Sequence, residues 1–97
     1  MNDVAKTILA QFGGVRALVM IGGSAAFSDD SLTVMFRAKA KNKANRLVVR
    51  LDFDDTYTME FWACRGASAR LIASESGLYC DQIKETFEAE TFLRLSL

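Results

Sequence analysis

A chain of 97 residues has room for one modest core, and twelve Lys and Arg against twelve Asp and Glu leave no net charge, which argues against a general polyanion binder. The absence of histidine removes the commonest general base and metal ligand, and Cys64 and Cys80 are too few for a secreted disulfide scaffold and lack metal-binding spacing. The two are read as reduced thiols in a cytoplasmic protein. No run approaches the ~20 apolar residues of a membrane span, and MNDVAKTILAQFGG lacks the cationic lead of a signal peptide, so no membrane is expected as a partner.

Asn2 or Asp3 can cap a first helix of about ten residues, along which Val4, Ile8 and Phe12 recur every four positions beside Ala5 and Leu9. Gly13-Gly14 stops it. VRALVMI, Val15 to Ile21, reads as a strand, and because both of its faces are largely apolar, as one covered on both sides. Gly22-Gly23-Ser24 breaks it, and Ser24 to Phe27 reads as a helical turn ahead of Ser28-Asp29-Asp30. The glycine pair lacks the further glycines, or the lysine-serine, of a phosphate-binding loop and is expected to be a plain turn.

Three strands then alternate: SLTVMFR (31–37), NRLVVRLDF (45–53) and TYTMEFWAC (56–64). Leu32, Val34 and Phe36, then Leu47, Val49, Leu51 and Phe53, then Tyr57, Met59, Phe61 and Ala63 form the core face of an antiparallel sheet. The other face shows Thr33, Met35 and Arg37; Arg46, Val48 and Arg50; Thr58, Glu60, Trp62 and Cys64. It is more apolar than a solvent face needs to be. Asp54-Asp55 marks the turn between the last two of these strands, and Ala69 to Ser74 reads as a further short strand. A last helix, Tyr79 to Glu90, turns Tyr79, Ile83 and Phe87 toward the sheet and pairs Lys84 with Glu88 outside. Cys80, in its first turn, is expected to be buried. Leu93, Leu95 and Leu97 alternate as a docked extended end. The fold class is α+β: a single domain over 1–97, a twisted antiparallel sheet of four to five strands with an N-terminal and a C-terminal helix packed on one face.

Charge is unevenly placed. From Arg37 to Arg50 lie six cations (Arg37, Lys39, Lys41, Lys43, Arg46, Arg50) and no carboxylate, half of all the Lys and Arg in the chain. From Glu75 to Glu90 lie five carboxylates (Glu75, Asp81, Glu85, Glu88, Glu90) against Lys84.

ILAQFGG, the VMIGG that follows it, NRLVVRLDFDDTYTMEF, YCDQIKETFEAET and the closing LSL resemble a set of small phage- and prophage-encoded proteins, over Ile8 to Leu97. That set carries no assigned function, so the resemblance implies a mobile-element context and transfers no catalytic residue. At fold level only, a curved four-stranded sheet followed by a helix is similar to the transcriptional-coactivator and whirly-type single-stranded-DNA binders, from which the extra N-terminal helix and first strand depart.

Two binding functions follow. In the first, single-stranded nucleic acid lies on a cationic track of Arg37, Lys39, Lys41, Lys43, Arg46 and Arg50, with Trp62 as stacking platform and Met35 and Val48 as apolar contacts. In the second, the same aromatic-plus-arginine face is a protein-interaction module that inhibits or redirects a host protein, such as an antiviral-defence or transcription component. A homodimer burying that face is compatible with either. An enzyme is not expected, nor a metal or cofactor. Asp52, Asp54 and Asp55 read as a hairpin turn, and no histidine is present to activate either cysteine.

Overall fold

The computed structural model describes residues 3–93 and Leu95. Two helices, α1 (Asp3–Phe12) and α2 (Gly14–Ile21), precede five strands: β1 (Ser24–Phe27), β2 (Ser31–Met35), β3 (Arg46–Leu51), β4 (Tyr57–Arg65) and β5 (Ser68–Leu78). A 3-10 turn, Cys80–Gln82, leads into α3 (Ile83–Thr91). The strands form one antiparallel sheet in chain order, with helices from both ends of the chain on one face: the α+β fold expected.

The fifth strand is not the one expected. VRALVMI is the helix α2, and Ser24–Phe27, read as a helical turn, is the edge strand β1. A segment apolar on every side carries no period, so the alternation in it does not distinguish strand from helix. Its ends decide. Gly13 at φ 130° and Gly14 at φ 74° turn the chain between the helices, and a Cβ on Gly13 would lie 2.9 Å from that of Ala17. At the other end Gly22 is left-handed, and the Gly22 and Gly23 N–H groups donate to the carbonyls of Val19 and Leu18, the paired bonds that close a helix.

The core is built as the alternation predicts. Leu32, Val34, Leu47, Val49, Met59 and Phe61 are sealed beneath Ala5, Ile8 and Phe12 of α1 and Ile83 and Phe87 of α3. Phe87 is the hub, its ring meeting Phe12 edge-on at 5.0 Å, Phe36 edge-on at 5.4 Å and Phe61 at 6.3 Å. Leu95 is buried beside Gly13, as the docked end requires; Leu97 lies outside the described residues. Three side chains depart from their expected places. Phe53 is fully exposed because β3 stops at Leu51 and the Asp52–Thr56 turn, closed by Asp52 N–H to Thr56 O, carries it clear of the sheet. Tyr79, 64% exposed, is extended ahead of the 3-10 turn with its N–H on Gln82 Oε1, so the helical stripe begins only at Ile83. Cys80 beside it is exposed too, and neither cysteine is in a disulfide.

β5 runs eleven residues against the nine of β4, with register shifts between Tyr57 and Met59 and between Phe61 and Trp62. These bulges follow no simple alternation, which is why only Ala69 to Ser74 is legible as strand. No single helix among the described residues is long and apolar enough to cross a membrane; α1 and α2 reach that length together but bend by 63°.

Burial of the Tyr57 phenol, and then the charges of Cys80 and Asp55, push its pKa above the usual 10.0. The folded chain then holds this proton more tightly than the unfolded one. The resulting stabilisation is complete below pH 10 and is lost as the pH rises through the raised value. Urea midpoints measured above pH 10 are expected to fall with pH in the native chain and to fall less in Tyr57→Phe; equal slopes would show the phenol to be unperturbed.

Candidate nucleic-acid interface

The face of the sheet turned away from α1 and α3 carries the side chains that the core does not use. Register places Met35 opposite Arg46, Arg46 opposite Trp62, and Trp62 opposite Leu71, one row across four strands. The Arg46 guanidinium lies over the Trp62 ring, 5.8 Å from its centroid, and Trp62 Nε1 donates to Glu60 Oε1 at 3.3 Å. Among the described residues no acceptor meets the buried Arg46 Nε. Met35 and Leu71, each more than two-fifths exposed, extend the row at both ends. Trp62 therefore faces outward, half-buried by its neighbours, as the strand register requires.

Arg50 sits four residues farther along β3, beyond Val48 on the same face, and is placed differently. Its guanidinium is 3.3 Å from Asp52 and 3.9 Å from Glu60, and Asp52 also accepts the Thr58 hydroxyl at 2.6 Å. Of the six cations in the track, this one is already matched by carboxylates.

The other four, Arg37, Lys39, Lys41 and Lys43, lie in residues 36–45, between β2 and β3. The segment alternates: the four cations are exposed, while Ala38, Ala40, Asn42 and Ala44 turn inward, Ala40 and Ala44 into the core. Its backbone is pinned to helix ends. The N–H groups of Arg37 and Ala38 both donate to Ile21 O at the end of α2, and Lys41 N–H donates to Thr91 O at the end of α3. Neither helix has a cation in its own last turn, so the loop brings positive charge to two negative dipole ends, each such contact being worth about 0.3–1 kcal/mol. Lys41 also lies over the exposed Phe92 ring, at 5.5 Å.

Because the sheet is a meander, alternate turns gather at opposite ends. At one end are this loop and the β4–β5 turn, with Arg37, Lys39, Lys41, Lys43, Arg46, Arg65 and Arg70. At the other are the β1–β2 and β3–β4 turns and the 3-10 turn, with Asp29, Asp30, Asp52, Asp54, Asp55 and Asp81. The turns of the sheet are therefore polarised, basic at one end and acidic at the other, while the last turn of α3 brings Glu88 and Glu90 to the basic end. Arg65 and Arg70 are absent from the expected track. They lie outside the basic window and become its neighbours only because the β4–β5 turn brings Arg70 back opposite Ala63.

The carboxylate cluster is a turn. Asp54 Oδ1 accepts the Thr56 hydroxyl at 2.7 Å and the Thr56 N–H at 3.2 Å, which holds its carboxyl below the usual 3.8. Among the described residues no group of three or more Cys, Asp and Glu could hold a metal ion. Cys64 and Cys80 lie at opposite ends of the sheet.

Fold and site thus define a small α+β domain whose open sheet face joins a tryptophan–arginine row to a cationic end. No family model, curated protein or solved structure matches the chain.

Proposed function

We propose that this is a small cytoplasmic binding protein of a mobile element that holds single-stranded nucleic acid on the open face of its sheet, with no catalytic step. The observation that carries this reading is the Arg46–Trp62 stack, set in an otherwise uncovered face and adjoining a loop with four outward cations. Bases stack on the tryptophan and exposed apolar neighbours while phosphates follow Arg46 and the loop. Arg50, matched by Asp52 and Glu60, is left out of the track.

Trp62 is the sole tryptophan, so its emission reports the site directly. Titrating a labelled ~20-nucleotide single strand is expected to quench that emission and raise the label's anisotropy together, with log K falling against log salt at a slope of roughly −3.5 for five phosphate contacts. Strand binding that leaves the emission unchanged would remove Trp62 from the site. No binding at low salt would overturn the reading.

One observation favours a second reading, a protein-interaction module directed at a host protein. The outer side of α2 leaves Val15 67% and Val19 74% exposed, with Met20 beside them, an apolar surface on the helix layer rather than on the open face. The titration separates the two, since a protein contact through α2 predicts neither quenching nor a salt slope.

A further inference from the structure

The basic end of the sheet contains a second feature, distinct from the tryptophan row. A cleft of about 360 Å³ is lined by Lys43, Asn45, Ala63, Cys64, Arg65 and Arg70. Ala63 pairs with Arg70 and shares its side of the sheet with Met59 and Phe61, so these walls belong to the helix side, near the outer strand β5. The three cations come from three elements: Lys43 from the tip of the loop, Arg65 from the end of β4, and Arg70 from the start of β5. Among the described residues no carboxylate lines the cleft, and none of the three cations is paired with one.

The cleft is rigidly framed. Lys43 is held at φ 69° with its N–H on Ala40 O. Asn45 bridges to β4, donating Nδ2 to Cys64 O at 2.7 Å and accepting Cys64 N–H on Oδ1 at 2.8 Å. The amide is thereby fixed in place by the frame, and the three cations are the charges that face a ligand. Like charges gathered without a counter-charge repel one another, and an anion between them relieves that repulsion.

We propose that this cleft binds a phosphate monoester, the terminal phosphate of a bound strand. The inference rests on the nucleic-acid reading and adds an anchor to it. A monoester carries a charge of about −1.5 to −2 at neutral pH and three acceptor oxygens, whereas an internal phosphodiester brings one negative charge. Three cations lining one cleft match the monoester better. The place fits as well: the loop runs from Arg46 on the open face to Lys43 at the cleft, so a backbone following it rounds the end of the sheet. Free inorganic phosphate shares the chemistry and is the other source of such a ligand.

The test compares ~20-nucleotide strands carrying a 5′-phosphate, a 3′-phosphate or hydroxyls at both ends, by anisotropy, on the native chain and on Arg65→Ala with Arg70→Ala. One phosphorylated end is expected to tighten binding by about tenfold, the double variant to lose that gain, and the hydroxyl-ended strand to weaken far less than the phosphorylated one in the double variant. Both arginines are exposed, so the variant keeps the fold. Equal binding of all three strands by the native chain would overturn the terminal-phosphate anchor while leaving strand binding in place. No binding of any strand would overturn both. Inorganic phosphate alone, followed by the Cys64 and Arg70 amide resonances, gives the independent arm: shifts that vanish in the double variant support the cleft as a phosphate site, and no shift at tens of millimolar overturns it.

Discussion

Phe87→Ala is expected to remove about 3–5 kcal/mol of folding stability, among the largest effects of any single substitution in this chain. The ring is fully buried and touches α1 through Phe12, the start of the basic loop through Phe36, and β4 through Phe61. No one element can move inward to fill the space, because the other two fix the walls. The two edge-on contacts add about 0.5–1.5 kcal/mol each beyond the area they bury. For a domain whose whole stability is of the order of 5–15 kcal/mol, such a loss brings unfolding close to physiological conditions. Urea denaturation should show the midpoint falling sharply with an unchanged slope, and Phe87→Leu, which keeps most of the volume, should fall much less. A loss below about 1 kcal/mol in the alanine variant would mean that α3 is not packed on the sheet as described.

Phe87 is legible in the sequence, and the reason separates what can be read from what cannot. Ile83 and Phe87 sit four apart on a helix whose other side is charged, and Leu32, Val34, Leu47, Val49, Met59 and Phe61 alternate with polar neighbours. Period and polarity agree there, so each residue's side is decided locally. The same alternation puts Trp62, Arg46 and Met35 on the open face. VRALVMI offers no such contrast. Its helix is settled by the glycines on either side, and the Gly22-Gly23 pair that reads as the end of a strand is the closing signal of a helix. Phe53 and Tyr79 depart from their expected sides for a related reason. Both lie just outside an element whose period extrapolates one step too far, into a turn that sets its own direction.

The electrostatic layout is legible only in part. The cations of residues 37–46 are a run in sequence and stand out in any window. The acidic end is assembled from turns that are far apart in the chain, and Arg65 and Arg70 join the basic end through strand pairing. The bulge that places Leu71 opposite Trp62 shifts the β5 register by one residue, and nothing in SARLIASESGL marks it. A local reading therefore recovers the tryptophan face and the loop, while the cleft beside them requires the folded chain.

The second large effect is on binding, and it separates stacking from charge. Trp62→Ala is expected to lower single-strand affinity by roughly 5- to 150-fold, the cost of about 1–3 kcal/mol for removing one stacking platform. The ring faces away from α1 and α3, so the variant should stay folded, with its urea midpoint close to native. Stacking releases no counterions, so a plot of log K against log salt should drop in parallel to the native line. Lys39→Ala, Lys41→Ala and Lys43→Ala together should act on the slope instead, flattening it by about 2 because three phosphates are left without a cation. Arg50→Ala should do little to either, since Asp52 and Glu60 already hold that guanidinium. The roles are reversed, and the proposed site is wrong, if removing the tryptophan changes the slope or removing the lysines leaves it intact. A tryptophan variant that unfolds would place Trp62 in the structural framework of the sheet, and the Arg46 stack would then be a means of fixing β3 against β4 rather than a platform for a base.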